Sequence, residues 1–122
     1  MTKEETLYSF WSSFGLTAYE ENSTPNQPKF PYLTYQVSTD SFDNEIPLTA
    51  SLWDKTTNWA YLNVKTSEIN QTIGRGGIFL DCDEGKIWIK RGTPFAQKMG
   101  DESDNLIKRK YINITAEFFT AD

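Results

Sequence analysis

Histidine is absent from the 122-residue sequence, and Cys82 is its single cysteine. Without histidine the chain lacks the most common general base and the most common ligand of transition metals. One cysteine excludes an intrachain disulfide, and no histidine is present to activate it as a nucleophile. We therefore expect no catalytic residue, no metal site and no cofactor.

Long apolar runs are also missing. No run approaches the roughly 20 residues that cross a bilayer, and the segment 1–5 is polar and acidic. These features predict neither a membrane span nor a secretory signal. The length fits a single domain, residues 1–122, which we expect to be soluble and to stay in the compartment where it is made.

Charge and short motifs narrow the function further. The formal net charge of −5 argues against a broad phosphate-binding face. The acids at 81–84 lack the spacing of a calcium-binding loop, which favours a solvated hairpin turn. The glycines at 74–77 follow a predicted helix rather than precede one, so they indicate a helix end and not a phosphate cradle.

Aromatic residues are abundant, with four Trp, six Tyr and eight Phe. In a small domain such rings fill the core, and they also serve as anchors in protein interfaces. Together with the missing chemistry, this composition predicts a protein that acts by binding other proteins.

Two helices are predicted. Thr2 and Glu5 have the spacing of a capping box, and an apolar stripe follows before Gly15. The second helix is predicted over residues 58–73, ended by Gly74, with N-cap candidates at 56–58.

The remaining segments alternate between apolar and polar residues in the manner of strands. The prediction is a short extended piece at 16–19, a hairpin, a three-strand meander and two loops. The hairpin comprises 32–42 and 46–53; the meander comprises 77–82, 86–91 and 106–119; the loops are 22–31 and 92–104. The order α-β-β-α-β-β-β predicts an α+β fold, with a mixed, mostly antiparallel β-sheet packed against two α-helices on one face.

Basic residues cluster at 90–91 and 108–110, each cluster bordering a predicted strand. Either they contact an acidic partner or they protect exposed sheet edges from pairing. With the acidic run 101–104, the molecule carries charges of both signs. Such separation suits head-to-tail contacts between copies in a ring.

Several segments resemble a known family. They are residues 10–15 (FWSSFG), 31–35 (PYLTY), 50–53 (ASLW), 58–59 (NW) and 87–97 (IWIKRGTPFAQ). In layout and in these segments the sequence resembles the tail terminator (tail completion, or minor capsid) proteins of long-tailed bacteriophages and prophages of Gram-positive bacteria. Residues 91–97 are the most particular part of the resemblance.

The resemblance implies a structural protein that forms a hexameric ring on the finished tail tube. Such a ring stops the addition of tube protein and then offers the surface that joins tail to head. Its partners would be copies of itself, the major tail tube protein and a head-closure or neck protein. DNA would pass through without sequence-specific binding, no membrane would be involved, and the protein would lie at the head-proximal end of the virion tail after assembly in the host cytoplasm.

Arg91, Phe95 and Lys98 are the candidate protein–protein contacts, with Arg91 as a charged anchor and Phe95 as an apolar one. For Phe95, burial within its own subunit is nearly as good an interpretation. Three other functions stay open. They are another neck or head-closure component, a small ligand-binding domain or enzyme of unknown substrate, and a monomeric regulator that binds host factors.

Overall fold

A computed structural model of the chain describes residues 1–101 and 103–122, and it contains two helices, a short 3-10 turn and six strands. In chain order these are α1 (Lys3–Ser12), β1 (Thr17–Glu20), the 3-10 turn (Glu21–Ser23), β2 (Tyr32–Tyr35), β3 (Asn44–Lys55), α2 (Ala60–Ile73), β4 (Ile78–Cys82), β5 (Gly85–Gly100) and β6 (Ile107–Thr120). Among the described residues no helix is long and apolar enough to cross a membrane.

The six strands form one sheet in the order β1-β2-β3-β6-β5-β4. Strands β1 and β2 are parallel, and every other neighbouring pair is antiparallel. The predicted α+β class with a mixed, mostly antiparallel sheet is confirmed. The predicted order of elements differs in detail, because the short extended piece near residue 17 is a full edge strand.

Both helices cover the same face of the sheet. The apolar side chains of α1, such as Leu7 and Trp11, are buried in one cluster with Leu62 and Ile69 of α2. Alternate residues of β6 join this cluster: Ile112, Ile114, Ala116 and Phe118. Since alternate residues of a strand share a face, the core lies between one side of the sheet and the two helices.

The helix starts follow from local hydrogen bonds. The Glu5 N–H donates to Thr2 Oγ1 at 3.1 Å and the Thr2 N–H donates to Glu5 Oε1 at 2.9 Å, which confirms the capping box. Helix α2 begins at Ala60, two residues later than predicted, and the Ala60 N–H donates to Asn58 Oδ1 at 3.0 Å. Gly74 ends α2 with a positive φ of 71°.

Strand β2 ends at Tyr35, so the prediction of a strand to residue 42 is wrong. The pairing of β2 with β3 is nevertheless present, with Tyr35 opposite Ala50. The side chain of Gln36 explains the early end, because its Oε1 accepts from the Thr49 N–H at 3.2 Å. A side-chain oxygen thus takes the place of the Gln36 carbonyl, while the Gln36 N–H still donates to the Thr49 carbonyl at 2.9 Å, and residues 37–43 leave this ladder.

The predicted loop at 92–104 is also wrong, since β5 continues to Gly100. A β-bulge makes this possible: Arg91 lies opposite Ile114 and Ala96 opposite Ile112, so residues 92–95 face the single residue Asn113. The Asn113 Nδ2 donates to the Pro94 carbonyl at 2.9 Å and holds the bulge in place. Of the acidic run, Glu102 lies outside the described residues.

Candidate protein-interaction surfaces

Two of the three predicted contact residues, Arg91 and Phe95, line the same pocket of about 450 Å³. Arg91 is exposed, and its Nη1 donates to Asn70 Oδ1 of α2 at 3.0 Å. Phe95 is half-buried and packs against the core cluster. Phe95 therefore packs partly within its own subunit and also lines the pocket.

This pocket presents positive charge between aromatic walls. Arg75 and Arg91, both exposed, bring two guanidinium groups to it, and Trp88 and Phe95 form its sides. The third cation, Lys90, is held by Glu45 at 2.9 Å and by Glu117. The hydrogen bond that Lys90 donates to Glu45, helped by the one that it donates to Glu117, raises the pKa of Lys90. The two arginines therefore supply the exposed positive charge of this pocket, and guanidinium groups suit an acidic side chain or a phosphate.

Lys98 lies on a different surface, beyond the bulge. It is directly opposite Lys110 across the β5–β6 ladder, and Lys108 lies on the same face two residues before Lys110. The ammonium groups of Lys98, Lys108 and Lys110 lie 5.3, 6.0 and 6.0 Å from the ring centre of Trp59. These three side chains are called the lysine cluster below.

The lysine cluster is electrostatically unfavourable within the subunit. Like charges directly opposite each other destabilise a sheet, and the electrons of the Trp59 ring, with the Asp54 carboxylate opposite Lys108 on β3, offset only part of this repulsion. Lys110 is buried, its Nζ donates to Asn63 Oδ1 at 2.7 Å, and burial followed by the charge of Lys98 lowers its pKa. Among the described residues no carboxylate forms an ion pair with any of the three.

Acidic residues gather at the opposite end of β6. The β4–β5 turn, the start of α1 and the residues after β6 meet there around a pocket of about 310 Å³. We call this the acid-lined pocket, after Glu4, Glu84 and Asp122. The Glu84 Oε2 atom is buried and has no hydrogen-bond partner among the described residues. Across residues 1–101 and 103–122, no group of three acidic or thiol side chains is placed to hold a metal ion.

The sheet face away from the helices carries two aromatic groups. Phe79 and Trp88 are stacked with ring centres 5.2 Å apart, and Phe119 lies beside both. Phe79 is 54% exposed, which leaves this group open to contact. The second group is Tyr32 stacked on Trp53 at 5.9 Å, with the Arg109 guanidinium 4.7 Å from the Trp53 ring centre.

Sequence reasoning missed the lysine cluster because residues 92–104 were predicted to be a loop. Without strand structure at Lys98, nothing connected it with Lys108 and Lys110. One signal was available: Lys108 and Lys110 are in phase with Ile112 and Ile114, so alternation directs all four side chains to the helix side of the sheet.

Cys82 ends β4 opposite Gly85, and it is half-buried against the core. The turn between them is the one predicted from the acids at 83–84 and Gly85.

Comparison with models of protein families, with curated proteins and with solved structures found no match to this chain.

Proposed function

We propose that this protein is a tail terminator of a phage-type particle, a structural protein whose copies form a hexameric ring on the growing end of a tail tube. One observation carries the proposal: the lysine cluster lies near the start of β6, where Asp54 is opposite Lys108, and the acid-lined pocket lies at its end. At about 3.3 Å per residue these ends are roughly 40 Å apart. Each copy therefore offers two chemically opposite surfaces.

Opposite surfaces on one chain suit a contact between copies. A head-to-tail contact joins the basic surface of one copy to the acidic surface of the next and leaves the other two surfaces free for further copies. Such a contact forms a closed ring when the rotation between copies closes. Charge complementarity would also guide copies into the correct orientation.

The remaining surfaces serve the other partners. The pocket with Arg91 and Phe95 lies in the segment that most resembles terminator proteins, and we assign it to the tail tube protein. The group of Tyr32, Trp53 and Arg109 shares no residue with this pocket and is assigned to the head-closure or neck protein, because aromatic side chains and arginine are enriched among the residues that dominate interface energy. DNA would pass through the ring without sequence-specific contact.

The proposed mechanism is competition for a surface. The ring occupies the end of the tube and replaces the face that tube protein recognises with one that it does not. Growth stops, and the new face receives the neck. This role requires no reaction chemistry, in keeping with a chain that has no histidine and whose cysteine packs against the core.

The proposal is tested by mass and by tail length. Sedimentation of the purified protein, alone and with tail tubes, should show a hexamer or association with tube ends. In cells that produce the particle, Arg91→Glu should give overlong tails in electron micrographs. Arg91 is exposed, so this change leaves folding intact, and Gln97→Ala on the same strand is the matched control.

Phe95→Ala should also give overlong tails, with some loss of stability because the ring packs partly on the core. A strict monomer that never associates with tubes would refute the proposed function. Normal tail length with both Arg91→Glu and Phe95→Ala would refute the assignment of the pocket to the tube protein.

A further inference from the structure

We propose that the lysine cluster of one copy binds the acid-lined pocket of a second copy, so that the ammonium group of Lys98 enters the pocket beside Glu84. The inference rests on the proposed self-assembly and names the two surfaces that meet. The sequence predicts Lys98 and the basic residues 108–110 as separate contact candidates, and it does not predict the acid-lined pocket.

Lys98 is the member of the cluster that can reach a partner. Lys110 is buried and donates to Asn63, and Lys108 donates to the Asn105 carbonyl. Lys98 is exposed, and it has no ion pair among the described residues. Its long flexible stem carries three donors at one end, which allows the ammonium group to enter a pocket on another molecule.

The acid-lined pocket has the complementary need. A buried carboxylate oxygen without a hydrogen-bond partner is costly, and Glu84 Oε2 is such an atom among the described residues. Lys3, which also lines the pocket, donates to the Asp40 carbonyl at 2.8 Å. The acids do not converge on a metal-sized point. An ammonium group on a long stem therefore suits the carboxylates that line this pocket better than a metal ion does.

The two surfaces of a single copy cannot satisfy each other, because roughly 40 Å of β6 separates them. Nucleic acid is a poorer occupant of the lysine cluster for two reasons. The three ammonium groups already surround the Trp59 ring, which obstructs the base stacking typical of single-strand binding. The net charge of −5 also repels a polyanion. A second copy supplies the carboxylates without either penalty.

A charge swap tests this pairing. Lys98→Glu and Glu84→Lys should each weaken self-association at least ~10-fold, as expected for the loss of a close charge pair across an interface. Mixing the two variants should restore association. In alternating copies, Lys98 of one variant meets the native Glu84 of the other, and the introduced Glu and Lys meet at the next contact. The assay is sedimentation at low and high salt, with Lys29→Glu and Glu21→Lys, two exposed loop positions, as the control pair.

Folding of the variants is checked separately. Lys98→Glu replaces repulsion with attraction opposite Lys110, so its unfolding temperature should equal or exceed that of the unmodified protein. Glu84→Gln keeps the shape of the side chain and should also weaken association if Glu84→Lys disturbs the turn.

Each outcome decides one of the two proposals. A protein that assembles, but whose assembly is unaffected by either swap, would overturn this pairing and leave the ring proposal standing. A protein that stays monomeric with and without tubes would remove both. Retention of a single-stranded oligonucleotide in a gel shift, lost in Lys98→Glu with no change in self-association, would make the cluster a phosphate site and overturn the pairing.

Discussion

The β5–β6 pair has two halves that share a face but differ in chemistry. In the half next to the β4–β5 turn, the side chains toward the helices are apolar and at most 1% exposed: Ile87, Ile89, Ile114, Ala116 and Phe118. In the half beyond the bulge, the same face carries Ala96, Lys98, Gly100, Lys108 and Lys110. We call these the core half and the charged half. The core half stabilises the fold by burying apolar side chains, whereas the charged half places like charges side by side.

The bulge at 92–95 makes this difference possible. By absorbing four residues opposite Asn113, it sets the register that brings Lys98 opposite Lys110. A shift by one residue would place Gln97 there and turn Lys98 to the other face. The position of one bulge therefore decides whether the lysine cluster exists.

The largest difference between the halves is expected for removal of a side chain. Phe118→Ala empties a fully buried site in the core half and should lower the free energy of unfolding by about 3–5 kcal/mol. Lys108→Ala in the charged half removes a like charge and should change it by less than about 0.5 kcal/mol. Denaturation with urea measures both. Equal losses would show that the charged half contributes to stability as the core half does.

Glycine substitutions at the two ends of β5 sharpen the contrast. At Gly85 φ is +148°, and an added Cβ would lie 2.2 Å from the Phe119 carbonyl oxygen. Gly85→Ala should therefore cost about 2–3 kcal/mol through strain. At Gly100 an added Cβ meets nothing within 4 Å. Gly100→Ala should be neutral or stabilise by up to about 1 kcal/mol, because alanine restricts the unfolded chain.

The same unfolding curves check the glycine pair. A similar cost at both positions would mean that Gly100 is held by contacts as tight as those of Gly85.

The contrast also explains how far the sequence could predict the structure. The core half was predicted almost to the residue, because Ile114, Ala116 and Phe118 alternate with polar neighbours and Gly85 marks the turn. The charged half was predicted to be a loop, because Gly92 and Pro94 ordinarily interrupt strands. Only the pairing with β6, a contact between distant parts of the chain, shows that a bulge accommodates both.

The candidate surfaces divide in the same way. Arg91 and Phe95 were predicted from local similarity and share a pocket. The lysine cluster and the acid-lined pocket each combine segments far apart in the chain, such as Glu4 with Glu84. No spacing in the sequence brings such residues together, so these surfaces required the sheet register.

The smallest expected effect is a pH dependence that arises in the charged half. Burial, then the charge of Lys98, lowers the pKa of Lys110 below its ordinary 10.5. Between the lowered folded pKa and 10.5 the unfolded chain holds more protons than the native state, so the contribution of Lys110 to stability rises with pH. Lys110→Met should remove this rise. Burial raises the pKa of Tyr32 and Tyr35, which destabilises the fold as pH exceeds their ordinary value of 10.0. The free energies of unfolding of the unmodified protein, Lys110→Met and Lys98→Gln should therefore be compared from neutral pH to just below 10. Lys98→Gln should give a slope between the slopes of the other two proteins. A Lys98→Gln curve parallel to that of the unmodified protein would mean that Lys98 does not act on Lys110.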